Sequence, residues 1–160
     1  MSVRPRAATD EEPTTTLTVP LYTLRMVKER TLFLPVSQVG MPNEAAALLH
    51  ALLDDSDRER VYVISLDARC HVVGIHEVSV GGVSMCSVDI RNVLKPALLS
   101  NASFVLLGHN HTSRDARPSR EDLAMTERTK IAAEIVGTPL VDHVIVARGS
   151  SYSFHEHGEL

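Results

Sequence analysis

The stretch "LLGHNHTSRDARPSREDL", residues 106–123, holds the transition on which the fold turns. The apolar run stops at Gly108, two histidines follow one residue apart, and Ser119 opens a segment with helical spacing. Together with the preceding "SFV", it reads as a buried strand over 103–108, a loop over 109–118 and a helix from Ser119 to about Val136. Gly137 closes that helix, and Pro139 lies just beyond. A chain leaving a strand in extended form sends side chains i and i+2 to one side, so His109 and His111 converge past the strand end. With Ser119 as N-cap, Asp122 is the third helical residue, and first-turn side chains lean back toward the helix N-terminus. Two imidazoles and a carboxylate then face one point. Three protein ligands with a fourth position open is the pattern of catalytic rather than structural zinc. The competing reading makes Ser119 and Asp122 a capping pair and leaves both histidines solvated.

Outward from this stretch, "ERVYVISLD" (59–67) is β-branched and apolar on both faces, as a central strand is. "HVVGIHEVSV" (71–80) is a second strand, joined to the first through "DARC" as a hairpin. "MPNEAAALLHALLDD" (41–55) begins with Pro42 and Asn43 and continues in good helix formers. Asp89 caps a helix to about Ser100, with a kink expected at Pro96. "LVDHVIVA" (140–147) and "SYSF" (151–154) make a final hairpin, and "LYTLRMV" (21–27) reads as a short edge strand. The order β-α-β-β-α-β-α-β-β is that of an α/β protein, a mixed sheet with helices packed on it. Residues 1–20, rich in Thr, Pro and charge, read as a flexible tail ahead of one domain over 21–160.

Composition narrows the function. None of the apolar runs reaches the roughly 18–20 residues of a membrane span, and the N-terminus lacks a signal-peptide core, so the expected compartment is the cytoplasm. A net charge of −4 gives no strong basic field for nucleic acid. Arg114, Arg117 and Arg120 do cluster, but Asp115, Glu121 and Asp122 offset them. Aromatics at 4%, with no Trp, make a base-stacking platform improbable. Cys70 and Cys86 read as buried free thiols rather than a disulfide or a zinc finger.

Water activated at a metal needs a base to carry its proton. Glu59, at the head of the central strand, is the first candidate, with Glu44 and Glu77 as rivals; on the residues alone all three stay open. Ser119 can cap its helix or donate to the oxyanion of a tetrahedral intermediate. Asp142-His143 reads as a buried hydrogen-bonded pair, and His155-Glu156-His157 as a solvated tail. His50, His71 and His76 are assigned no chemistry.

His109-Asn110-His111, seven further residues, then Ser119-Arg120-Glu121-Asp122 match the pattern His-x-His-x₇-Ser-x-x-Asp. On these residues the chain resembles JAMM (JAB/MPN+) metallohydrolases and, more narrowly, the RadC-like JAB domains of bacteria. "ERVYVISLD", "NASFVLLGHNH", "PSREDLAMT" and "VDHVIV" extend the resemblance from about Leu21 to the C-terminus. It implies a cytidine-deaminase-like (JAB/MPN) α/β/α fold and one zinc on His109, His111 and Asp122. It further implies Ser119 as oxyanion helper and Glu59 as general base, because RadC-like domains carry a Glu at the head of the strand ending in Leu-Asp, here Leu66-Asp67. The implied activity is hydrolysis of peptide or isopeptide bonds, with a peptide or protein as substrate. RadC members carry a DNA-repair label, so association with DNA or a repair complex through a structural metal is the alternative, and a catalytically degenerate scaffold is a third. The helix-hairpin-helix region of longer RadC proteins does not precede the domain in these residues, which weakens the expectation of direct DNA binding. Thr112 and Arg114 stand where the family reads Pro and Gly, raising the question of a loosened or strained loop.

Overall fold

The central strands are buried on both faces, and the alternating direction of their side chains sorts them into two cores, one on each face of a single sheet. The computed structural model describes residues 18–81 and 88–160. Its strands are β1 (Arg60–Leu66), β2 (Val72–Val80), β3 (Phe104–Asn110), β4 (Leu140–Ala147) and β5 (Ser150–Ser153), in the spatial order β2-β1-β3-β4-β5. Its helices are α1 (Pro42–Leu53), α2 (Ile90–Leu99) and α3 (Arg120–Ile135). Odd-numbered Val61, Val63, Val105 and Leu107 pack with Val93 and Ala97 of α2 and with Met125 and Ala133 of α3. Even-numbered Ile64, Leu66, Leu106, Val144 and Val146 pack against Ala45, Leu48 and Leu49 of α1. The result is the expected three-layer α/β/α fold. β3 and β4 are parallel while every other neighbouring pair is antiparallel, so the sheet is mixed. Parallel neighbours need a crossover. α3 supplies it, and its N-terminus therefore stands at the carboxyl end of β3, where sites in open α/β sheets form.

Three expectations change. Residues 21–27 form no strand: Leu21, Tyr22, Leu24 and Val27 are exposed, and pairing alongside the sheet begins only where Ser37 to Val39 meet residues 70–72. Apolar content suits a strand only when a ladder and a packing face are present. β3 runs on through His109 and Asn110, which the sequence placed in a loop, because backbone pairing with Val61 and with Ile145 and Val146 does not depend on apolar side chains. Cys70 is a half-buried free thiol rather than a buried one. Residues 1–17 of the expected 1–20 tail, and Cys86, lie outside the described residues. α2 continues past Pro96 to Leu99, with the proline ring buried on the core side.

Gly108 fixes the distance between β3 and α1 immediately before His109. A Cβ built there would lie 2.3 Å from Leu49 Cδ2 and 2.6 Å from its Cδ1. Leu49 is itself fully buried and cannot swing aside. Gly108→Ala is expected to destabilise the domain by about 1–3 kcal/mol, read as a lower midpoint in chemical denaturation. Adding Leu49→Ala should recover part of the loss; a neutral Gly108→Ala would show that the helix seats less closely.

Candidate metal centre

The end of β3 and the first turn of α3 bring His109, His111 and Asp122 together, with one ligand atom of each within 4.8 Å of the others. His109 faces the α3 side with Val61 and Leu107, as its odd register requires. His111 leaves the strand with its N–H donating to Val146 O at 2.9 Å, which keeps the chain extended and returns its ring to the same side. Asp122 is the third residue of α3: its Oδ2 accepts from Ser119 N (2.7 Å) and Ser119 Oγ (2.7 Å), while Ser119 Oγ accepts from Asp122 N (3.2 Å). Capping and ligand placement are thus one arrangement, not competing readings. The Ser119 hydroxyl proton points at Asp122 here, so a second role as donor to substrate requires it to turn.

Proton positions follow from the hydrogen-bond network. His111 Nδ1 lies 2.9 Å from Asp115 O, a carbonyl that can only accept, so Nδ1 carries a proton and, in the neutral ring, Nε2 presents a lone pair. Thr126 Oγ1 is 2.7 Å from Asp122 O and donates to it, so it accepts from His143 Nδ1 at 2.6 Å. His143 Nε2 then accepts from His109 Nδ1 at 2.9 Å, and His109 Nε2 is also left as a lone pair. The two Nε2 atoms are 3.0 Å apart, and they lie 3.2 and 3.3 Å from the Asp122 oxygens. Three acceptors converge with no proton assigned between them. Asp122 Oδ1 is buried and has no hydrogen-bond partner among the described residues. An ion about 2.0–2.1 Å from each ligand atom sets tetrahedral ligand atoms roughly 3.3 Å apart. The donor set fits a divalent cation.

Electrostatics agree. Burial pushes the Asp122 carboxyl up, but contact with both imidazoles and the Ser119 hydroxyl outweighs it and holds the group well below its usual range. Burial lowers His109 against the opposing pull of Asp122 and Glu59, so this ring stays neutral, as a ligand must. Asp122 raises the partly exposed His111, favouring the charged ring, so a cation seated there would displace a proton from its Nε2. His143, fully buried, is lowered well below the ordinary imidazole value by desolvation, which suits its role as acceptor.

The three candidate bases separate by sheet face. Glu59 precedes β1 by one residue and, two positions from Val61, shares the face of His109; it is half-buried, and its charge acts on both His109 and His111. Glu77 pairs with Tyr62 on the opposite face, where it accepts from Tyr62 Oη and Arg60 at 2.6 Å each. Glu44 accepts from Gly40 N (2.8 Å) and Met41 N (3.0 Å) at the start of α1. Both rivals have other work.

Two contributors carried no sequence signal. Asn110, between the histidines, points to the other face; its Oδ1 accepts from Arg60 N (2.8 Å) and its Nδ2 donates to Arg58 O (3.0 Å). It thereby clamps the backbone on both sides of Glu59. Thr126, one turn after Asp122, completes the relay through His143. Asp142 and His143 are not a pair. Adjacent strand residues face opposite ways, and Asp142 accepts instead from Ser153 Oγ (2.6 Å) and His155 N (3.0 Å). Its carboxyl is raised, chiefly by burial. His143 stacks on Phe154 at 4.7 Å, and His157, expected to be a solvated tail residue, bonds Ser153 O and stacks on Tyr152 at 4.0 Å. The arginine cluster also divides. Arg117 forms a fork with Asp115 at 2.6 Å, whereas Arg114 lies apart. Arg114 has no left-handed φ, so the residue that replaces the expected glycine carries no backbone strain.

Because His109 takes its tautomer from His143, His143→Phe should keep the ring stack and lose the acceptor. We expect roughly a 10–100-fold loss of metal affinity, measured by chelator competition; an unchanged affinity would mean that His109 orients itself.

A mixed five-stranded sheet between helices, with a His-His-Asp cluster where β3 meets α3, is the layout of a JAB/MPN domain of the JAMM superfamily. The model of the RadC-like JAB domain family matches residues 39–159, and the chain belongs to that family. Similar curated proteins include a UPF0758 protein of Thermotoga maritima, 47% identical over 104 residues, 65% of this chain and 47% of the relative. UPF0758 proteins of Rubrobacter xylanophilus (38% identical; 76% of this chain, 53% of the relative) and Desulfitobacterium hafniense (35%; 85% and 59%) match more of it. The chain spans about half the length of these relatives. Among the described residues, no helix is long and apolar enough to cross a membrane.

Proposed function

We propose that this domain is a zinc-dependent hydrolase of amide bonds, of the JAMM metallopeptidase or isopeptidase type. The observation that carries the reading is the convergence of the His109 and His111 Nε2 atoms and the buried Asp122 carboxylate on one point. His109, His111 and Asp122 hold the ion, which when bound supplies Lewis acidity to a water and to the scissile carbonyl. Glu59 takes the proton that water must lose and delivers it to the leaving nitrogen. Ser119 first anchors Asp122 through Oγ and N. Its hydroxyl, once turned, donates to the oxyanion, an interaction typically worth about 3 kcal/mol in the transition state. Zinc is favoured because two imidazoles and one carboxylate are a borderline donor set with room for a fourth ligand.

The test is hydrolysis of peptide and isopeptide substrates by purified protein before and after chelation. Turnover should vanish with the chelator and return with zinc. Turnover that chelation leaves unchanged would refute the reading. Metal uptake with no turnover on any member of such a set would favour a scaffold role.

A further inference from the structure

A cleft of about 320 Å³ borders His111 at the carboxyl ends of β3 and β4. Two arginines line it, Arg114 in the loop after β3 and Arg148 at the turn after β4. Neither makes an ion pair or a hydrogen bond among the described residues, unlike Arg117, Arg91 and Arg60, each tied to a carboxylate. Asp115 is engaged by Arg117 at 2.6 Å, and Asp54, which also lines the cleft, by His50 at 2.7 Å. Ser113 and Thr112 add hydroxyls to the same wall. In a chain of net charge −4, this is a local positive spot that reaches one candidate metal ligand, His111.

We infer that this cleft is a substrate subsite for a carboxylate, so that the preferred substrates are peptides with an acidic side chain next to the scissile amide. The inference rests on the amide-hydrolase reading for its place in the reaction, but the subsite itself needs only Arg114 and Arg148. Two unpaired guanidiniums recognise a carboxylate through charge-assisted, fork-shaped hydrogen bonds that an amide of the same shape cannot match. A peptide suits the cleft better than a nucleic acid: the whole chain is acidic, and Arg117 is withdrawn from the cluster by its own ion pair.

The probes are N-acetyl-glutamate N-methylamide and N-acetyl-glutamine N-methylamide, which differ only in side-chain charge. Each is titrated into the protein while the arginine Nε–H resonances are followed by NMR, and zinc content is measured on the same samples. The glutamate probe should give saturable shifts at Arg114 and Arg148 with a preference of about tenfold or more over glutamine. Arg114→Gln with Arg148→Gln should abolish the preference and leave zinc content unchanged. Equal, unsaturable responses to both probes in zinc-loaded protein would overturn the subsite while sparing the hydrolase reading. A glutamate preference in protein that takes up no zinc would support the subsite and sink the hydrolase. Tighter binding of a short oligothymidylate at the same two arginines would replace the peptide by a nucleic acid and overturn the inference.

Discussion

Glu59→Gln is expected to bind metal as the parent does and to hydrolyse amides roughly 10²–10⁴-fold more slowly, the usual contribution of a positioned proton-transfer group. The substitution keeps the side chain's length and removes its capacity to take a proton. The backbone at Glu59 is held on both sides. Asn110 bonds the backbone of Arg58 and Arg60 on either side of Glu59, and the Glu59 carbonyl accepts from Gly81 N at 2.9 Å. Rigid placement matters because a base acts only within hydrogen-bond reach of the proton. Metal content by elemental mass spectrometry and turnover under substrate saturation give the two readings. The companions Glu44→Gln and Glu77→Gln should leave chemistry alone, because those carboxylates cap α1 and brace Arg60 with Tyr62 on the other face. A Glu59→Gln protein with full activity would remove Glu59 from the reaction.

Asp122→Asn should cost more metal affinity than the roughly 10–100-fold that loss of an outer-shell partner costs. The carboxylate is the one anionic donor of the three, and Oδ1 is buried with nothing else to satisfy it. An amide oxygen can still accept from Ser119 N, so the start of α3 survives and the fold remains intact to be measured. The readout is zinc affinity by competition with a chromophoric chelator, with circular dichroism as the folding control. A folded Asp122→Asn protein that binds zinc as tightly as the parent would place the ion elsewhere.

Much of this arrangement was legible in the sequence, and the reasons are specific. Period-2 spacing gave His109 and His111 a common direction, and the N-cap at Ser119 gave Asp122 its backward lean; both are local rules obeyed within a few residues. α3 and β4 were readable because Gly137 and Pro139 punctuate them. The strand expected at 21–27 failed because pairing depends on a neighbour that local pattern does not supply. The choice among Glu59, Glu44 and Glu77 also stayed open on the residues alone, since it depends on sheet register, and shifting a strand by one residue exchanges the two faces. Asn110 and Thr126 were invisible for a related reason. Their partners lie 52 and 17 positions away, and a polar residue declares nothing about a distant backbone atom. Asp142 and His143 misled in the opposite direction: adjacency in sequence suggested a pair that a strand's alternation forbids.

Uptake of zinc by the purified protein tests the central claim most directly. Elemental analysis after equilibration with zinc and removal of excess should find about one ion per chain, and close to none in His109→Ala. A parent protein without zinc, or a His109→Ala protein that retains it, would contradict the site on which the rest is built.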